Sequence, residues 1–143
     1  MPEESRSFIA VFGEPHAMQH PVDGGVYPIP LSYCPAIGEG DKVLLFCLKD
    51  YPGHSWEAPG IGIVNQTTQR SHNGCVFVDV LYAYHPLNTP IRRDAVMGCL
   101  TQQEARQLMY PRFKANWLRR IGDLSARRLG LSDDRWTGGK SLK

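Results

Sequence analysis

The chain has 143 residues, 42% of them apolar and 21% charged, and carries a net charge of +2. That length suits one domain whose core is large enough to fold without disulfide or metal staples. The composition excludes a disordered or collagen-like chain, and no apolar run approaches the roughly 20 residues of a membrane span.

Cys34, Cys47, Cys75 and Cys99 are widely spaced, with no C-x-x-C pair, and Cys47 and Cys75 lie within apolar runs. Free cysteines there behave as small hydrophobes. The opening Met-Pro-Glu-Glu-Ser-Arg lacks the basic-then-apolar pattern of a signal peptide, so a reducing cytoplasm is the expected setting.

Taken in chain order, Ser7–Phe12 is an apolar run of strand length that stops at Gly13-Glu14-Pro15. Val26–Leu31 reads as extended, but Pro28 and Pro30 remove two ladder donors and assign it to an edge. The turn signal Gly38-Glu39-Gly40-Asp41 leads into Lys42–Leu48, the clearest buried strand. A loop rich in Pro, Gly, His and aromatics spans Asp50–Pro59. Gly60–Asn65 is a strand whose two glycines permit close backbone approach. Gly74–Tyr84 alternates as a long strand that His85–Pro90 is expected to break.

Helical signals come late. Thr101-Gln102-Gln103-Glu104 is a capping box, followed at helical spacing by Ala105, Leu108 and Met109 and stopped by Pro111. Trp117–Ile121 suits a sixth strand, and Asp123 or Ser125 caps a short helix ending at Gly130. The expected architecture is α+β: a small, twisted, partly open β-barrel of about six strands with peripheral short helices. Residues 1–131 are expected to form one domain and 132–143 a flexible tail.

The modest net charge conceals an asymmetry. From Ala105 onward ten Lys/Arg face three acids, a surplus of seven, whereas residues 1–104 carry a deficit of five. Arg112, Lys114, Arg119, Arg120, Arg127 and Arg128 are the candidate phosphate-binding residues of this basic segment.

Other chemistry is sparse. His16 and His20 have the spacing of helix-borne metal ligands, but prolines bracket them and no H-E-x-x-H carboxylate accompanies them, so no metal or other cofactor is expected. Gly60-Ile61-Gly62 lacks the third glycine of a dinucleotide fingerprint and reads as a packing feature. No G-x-S-x-G elbow is present. The aromatics say more: Tyr27, Tyr33, Tyr51 and Trp56 fall in loop or edge segments beside Gly and Pro. Exposed rings at such places stack on extruded bases, worth about 1–3 kcal/mol each.

The order of motifs resembles an EVE domain, a PUA-like fold related to YTH and ASCH domains. The pattern runs from Phe8–Phe12 through His16-Ala17-Met18, Val22-Asp23-Gly24-Gly25-Val26-Tyr27 and Gly40–Phe46. It continues through Gly60–Val64, Thr89-Pro90-Ile91 and Asn116-Trp117. The resemblance implies a pocket that reads a modified base, lined by Gly24, Gly25, Val26 and Tyr27 with His16 at its rim. Tyr33 and Trp56 are added to it as stacking rings and Asn65 as an edge reader. The expected function is a nucleic-acid-binding module, for DNA or RNA, that flips a modified base into an aromatic-lined pocket. The alternatives are an ASCH-like hydrolase of a modified nucleoside, with Lys42, Lys49 and Glu57 as candidates, and a protein-binding adaptor.

Overall fold

The computed structural model describes residues 6–13, 21–49, 51–109 and 117–131. It contains strands β1 (Ser7–Phe12), β2 (Val26–Pro30), β3 (Lys42–Cys47), β4 (Glu57–His72), β5 (Cys75–Arg92) and β6 (Trp117–Ile121). The helices are α1 (Arg93–Cys99), α2 (Gln102–Met109) and α3 (Asp123–Arg128). The strands form one sheet in the order β2-β5-β4-β3-β1-β6, curled into a half-barrel. β1 and β3 run parallel, and the other neighbours are antiparallel.

Continuous apolar sequence makes β1 and β3 the middle of the structure, because both of their faces are covered. On the inner face Phe8, Ala10, Phe12, Val43, Leu45 and Cys47 pack with Tyr27, Ile29, Val78, Val80 and Tyr82 from β2 and β5. On the outer face Ile9, Val11, Leu44 and Phe46 are covered by Val96 and Leu100 at α1, Leu108 of α2, and Ala126 and Leu129 at α3. Curling carries β2 across to β1, where the Tyr27 hydroxyl donates to the Val11 carbonyl at 2.7 Å and its ring leans on Phe12.

Both prolines of β2 are accommodated by alternation. Tyr82 N donates to the Gly25 carbonyl, so Gly25, Tyr27 and Ile29 turn their backbone groups toward β5 and the prolines turn theirs away. The same rule explains the main departure from the sequence reading. β5 does not break at His85 but continues to Arg92. Pro86 lies in phase with Tyr82, on the side away from β4, and Pro90 falls where the register slips between Pro86 and Ile91.

Asp41 anchors the start of the sheet. Its buried carboxylate accepts from the backbone N–H groups of Arg6 (2.9 Å) and Gly38 (2.8 Å) and pairs with the Arg6 guanidinium at 3.2 Å. The capping box is present as well, and does more than start one helix. Glu104 N donates to Thr101 Oγ1 while the Glu104 carboxylate accepts from Thr101 N. The same carboxylate accepts from Gly122 N at 2.6 Å and from the Ser125 hydroxyl, and so also caps α3. Burial works to raise the Glu104 pKa, but the hydrogen bonds from Ser125, Gly122 and Thr101 outweigh it and hold the pKa below the ordinary value. A depressed carboxylate contributes stability that is full above the unfolded pKa of about 4.3 and is lost as pH falls through the folded value. Glu104→Gln is therefore expected to lower stability at pH 7, by about 1 kcal/mol once solvent screening of this partly exposed group is counted, and by progressively less as pH falls through the folded pKa. Thermal melts of both proteins across that range check this.

Candidate nucleic-acid interface

The structure disperses the residues nominated for a base pocket. Gly24 ends a short 3-10 turn, Gly25 follows with φ +83°, and Val26 opens β2 at the end of the inner face where β1 finishes. Tyr27 departs from the expectation: it is 1% exposed, hydrogen-bonded to Val11 and packed on Phe12, which leaves no ring face for a base. Trp56 stands on the opposite, helix-covered face, between Phe46 and the Arg93 guanidinium 4.8 Å from its ring. Its backbone has φ +57°, a strained conformation held in place by the bond from Arg93 N to the Trp56 carbonyl. Asn65 sits at a β-bulge and lines a separate cleft of about 340 Å3 with Glu39, Ile63 and His85. His16, Arg112 and Lys114 lie outside the described residues.

One group of nominated residues does converge. Tyr33, 68% exposed in the 3-10 turn after β2, shares a cleft of about 400 Å3 with Arg119 and Arg120. The chain builds this cleft from three places. Pro30 ends β2 and turns Leu31–Tyr33 outward; the edge strand β6 brings the arginines; α2 contributes Gln107. Leu118, packed into the inner core, forms the floor with Cys34 and Pro35. Arg120 pairs with Phe8 and lies on the inner-face side of β6, whereas Arg119 pairs with Ile9 on the other, so the two reach the rim of the cleft from either side of the edge strand. A flat ring, an amide and cationic side chains at the rim of an apolar floor are components that can hold a base and its phosphates. Burial raises the Cys34 thiol above its ordinary pKa, so this sulfur is a neutral wall atom. Arg127 and Arg128 are exposed in the last turn of α3 and do not line the cleft.

At the other end of the inner face Tyr51, one of the loop aromatics the sequence points to, joins Tyr82 and Tyr84, which the sequence reading did not single out. Tyr51 OH accepts from Val22 N, and Tyr82 OH donates to the Val22 carbonyl, both at 2.5 Å. Tyr84 is half-buried beside them; burial, then the neighbouring Asp23 and Cys47, raises its hydroxyl pKa, leaving a neutral hydrogen-bonding group. The signal for Tyr82 and Tyr84 lay in the i, i+2 glycines. Each glycine faces one of these rings across the ladder, so that a Cβ on Gly62 would lie 2.7 Å from Tyr82 and one on Gly60 2.5 Å from Tyr84. His54 Nδ1 pairs with Glu57 at 3.1 Å close to the Tyr51 ring. Lys42 is buried in β3 and Lys49 is exposed. Burial, reinforced by Glu57, pushes the Cys47 thiol up to about 12, which removes it as a nucleophile.

The curled six-stranded sheet with short helices on its outer face is a PUA-like fold. Among solved structures the chain is similar to the crystal structure of ASCH from Zymomonas mobilis. The two share 9% sequence identity with a TM-score of 0.57, over 89% of this chain and 95% of that one. At this identity the likeness shows the fold. No family model and no curated protein matches the chain. Among the described residues, no helix is long and apolar enough to cross a membrane.

Proposed function

We propose that this domain binds a single-stranded or locally opened segment of nucleic acid in the cleft between the β2 turn and β6. The observation that carries this reading is the convergence of the exposed Tyr33 ring with Arg119 and Arg120 around one concave surface. The guanidinium groups supply affinity through phosphates, Tyr33 stacks on a base, and Gln107 offers both a donor and an acceptor to the base edge. A volume of about 400 Å3 lies within the usual range of about 300–1,000 Å3 for small-ligand pockets. Selectivity for a modified base, the finer part of the proposal, follows from how the added group fits between Tyr33 and the Leu118 floor. An EVE-like role as a modified-base reader is consistent with the PUA-like fold and rests on the same cleft.

The test is fluorescence anisotropy with labelled modified and unmodified RNA and DNA oligonucleotides at two salt concentrations. Tyr33→Ala is expected to weaken binding on the order of tenfold, the loss of one stacked base, without altering the salt dependence. Equal affinity of Tyr33→Ala and the parent protein would remove the stacking role. Absence of binding to every oligonucleotide at low salt would remove the proposal itself.

A further inference from the structure

The β4–β5 hairpin extends well past the rest of the sheet. β3 pairs with β4 only up to Ile63, and beyond Val64 the run Gln66–His72 has β5 on one side and, among the described residues, no strand on the other. Gln66–Gln69, Ser71 and His72 are exposed. An open strand of this length presents a row of backbone donors and acceptors and is a template for another strand.

The other two edges of the sheet are guarded. β2 carries Pro28 and Pro30, and β6 carries Arg119 and Arg120. The β4 edge, Gln-Thr-Thr-Gln-Arg-Ser-His, has neither proline nor lysine, and its arginine is engaged. Arg70 Nε donates to Asp79 at 2.6 Å and its guanidinium lies over Phe77. The edge is therefore electrically neutral and open.

The hairpin turn sets the register of this edge. Asn73 (φ 52°) and Gly74 (φ 80°) form a two-residue hairpin turn, which closes on a hydrogen-bonded His72–Cys75 pair. Alternation from that pair directs Thr68 and Arg70 toward β5 and leaves the backbone groups of Thr67, Gln69 and Ser71 pointing outward. The β3 side agrees: Val64 exchanges bonds with Gly40 and Asp41, and the bulge between Val64 and Gln66 shifts the outward set by one residue.

We propose that this edge is a self-association surface, on which a second copy of the chain adds antiparallel with Gln69 opposite Gln69. The segment is complementary to itself in that register. Thr67 faces Ser71 of the second copy, Gln69 faces Gln69, and Thr68 faces Arg70, with no like charges opposed. Each outward residue exchanges both backbone bonds, and the two sheets become one across the two-fold axis. A single edge buries less than a permanent dimer needs, so the association is weak and concentration-dependent.

Sedimentation equilibrium of the full chain, from micromolar to near-millimolar concentration, tests this. The parent protein is expected to show a monomer–dimer equilibrium. Gln69→Lys and Gln69→Glu each place like charges face to face at the two-fold axis, and each is expected to raise the dimer dissociation constant at least tenfold. An equimolar mixture of the two variants is expected to restore the dimer, a recovery that a folding defect would not produce. A parent protein that stays monomeric throughout overturns the proposal, as does Gln69→Lys dimerising as readily as the parent. Failure of the mixture to recover overturns the Gln69-centred register.

Discussion

Replacing Arg119 and Arg120 together by alanine is expected to weaken single-stranded nucleic-acid binding by tenfold or more at low salt. Each cation on a phosphate displaces counterions, so its loss lowers both the affinity and the salt sensitivity of binding. For single strands the slope of log K against log salt should fall by about 0.7 for each contact removed, or about 1.4 for the pair. The same double replacement at Arg127 and Arg128 is expected to matter less, because those side chains lie along α3 and outside the cleft. Titrations at several salt concentrations separate the two pairs. An unchanged slope for Arg119→Ala/Arg120→Ala would exclude phosphate contacts by β6. Fold stability offers an internal control, since both arginines are exposed on an edge strand and their truncation opens no cavity.

Gly60→Ala is expected to be the most destabilising small substitution in the sheet, costing about 3 kcal/mol. The added Cβ would lie 2.5 Å from Cε1 of Tyr84 and 2.8 Å from the carbonyl oxygen of His85. The tyrosine ring can swing away, but the carbonyl belongs to the neighbouring strand and moves only if the ladder opens. Gly40→Ala is the contrasting case: nothing stands within 4 Å of the added carbon, and the cost comes from φ +88° alone. Denaturant titration of both variants distinguishes steric from conformational cost. A Gly60→Ala loss no greater than that of Gly40→Ala would show that the Tyr84 ring and its strand yield freely. A displaced Tyr84 would also disturb the cluster at the end of the inner face, where its hydroxyl stays neutral.

Where burial writes itself into sequence, the reading and the structure coincide. Ser7–Phe12 and Trp117–Ile121 are strands with those bounds. Thr101-Gln102-Gln103-Glu104 forms the capping box its spacing requires, and two prolines mark β2 as an edge. Helix α1 was not legible. Its N-cap is Arg92 with no side-chain cap, and Val96 is its one buried residue, so neither a cap nor an apolar period announces it. The outer half of the β4–β5 hairpin was hidden for a related reason: Gln66–His72 is polar on both faces, and a ladder to β5 rather than burial makes it a strand.

The candidate site divides the same way. Charge and residue type alone nominate Tyr33, Arg119 and Arg120, because exposed rings and clustered cations suit a polyanion whatever the fold. Tyr27 and Tyr33 carry the same ring and stand beside prolines in one short segment. Only the curl of the sheet decides that the first is swallowed between β2 and β1 while the second stands in solvent. The sequence by itself determined the strands with apolar runs, the helix start and the basic character of the C-terminal part, since these depend on local pattern and composition. Tertiary structure decided which rings remain accessible, that β6 brings its arginines beside Tyr33, and that one edge of β4 stays open. Those are properties of how distant segments meet, and no local period encodes them.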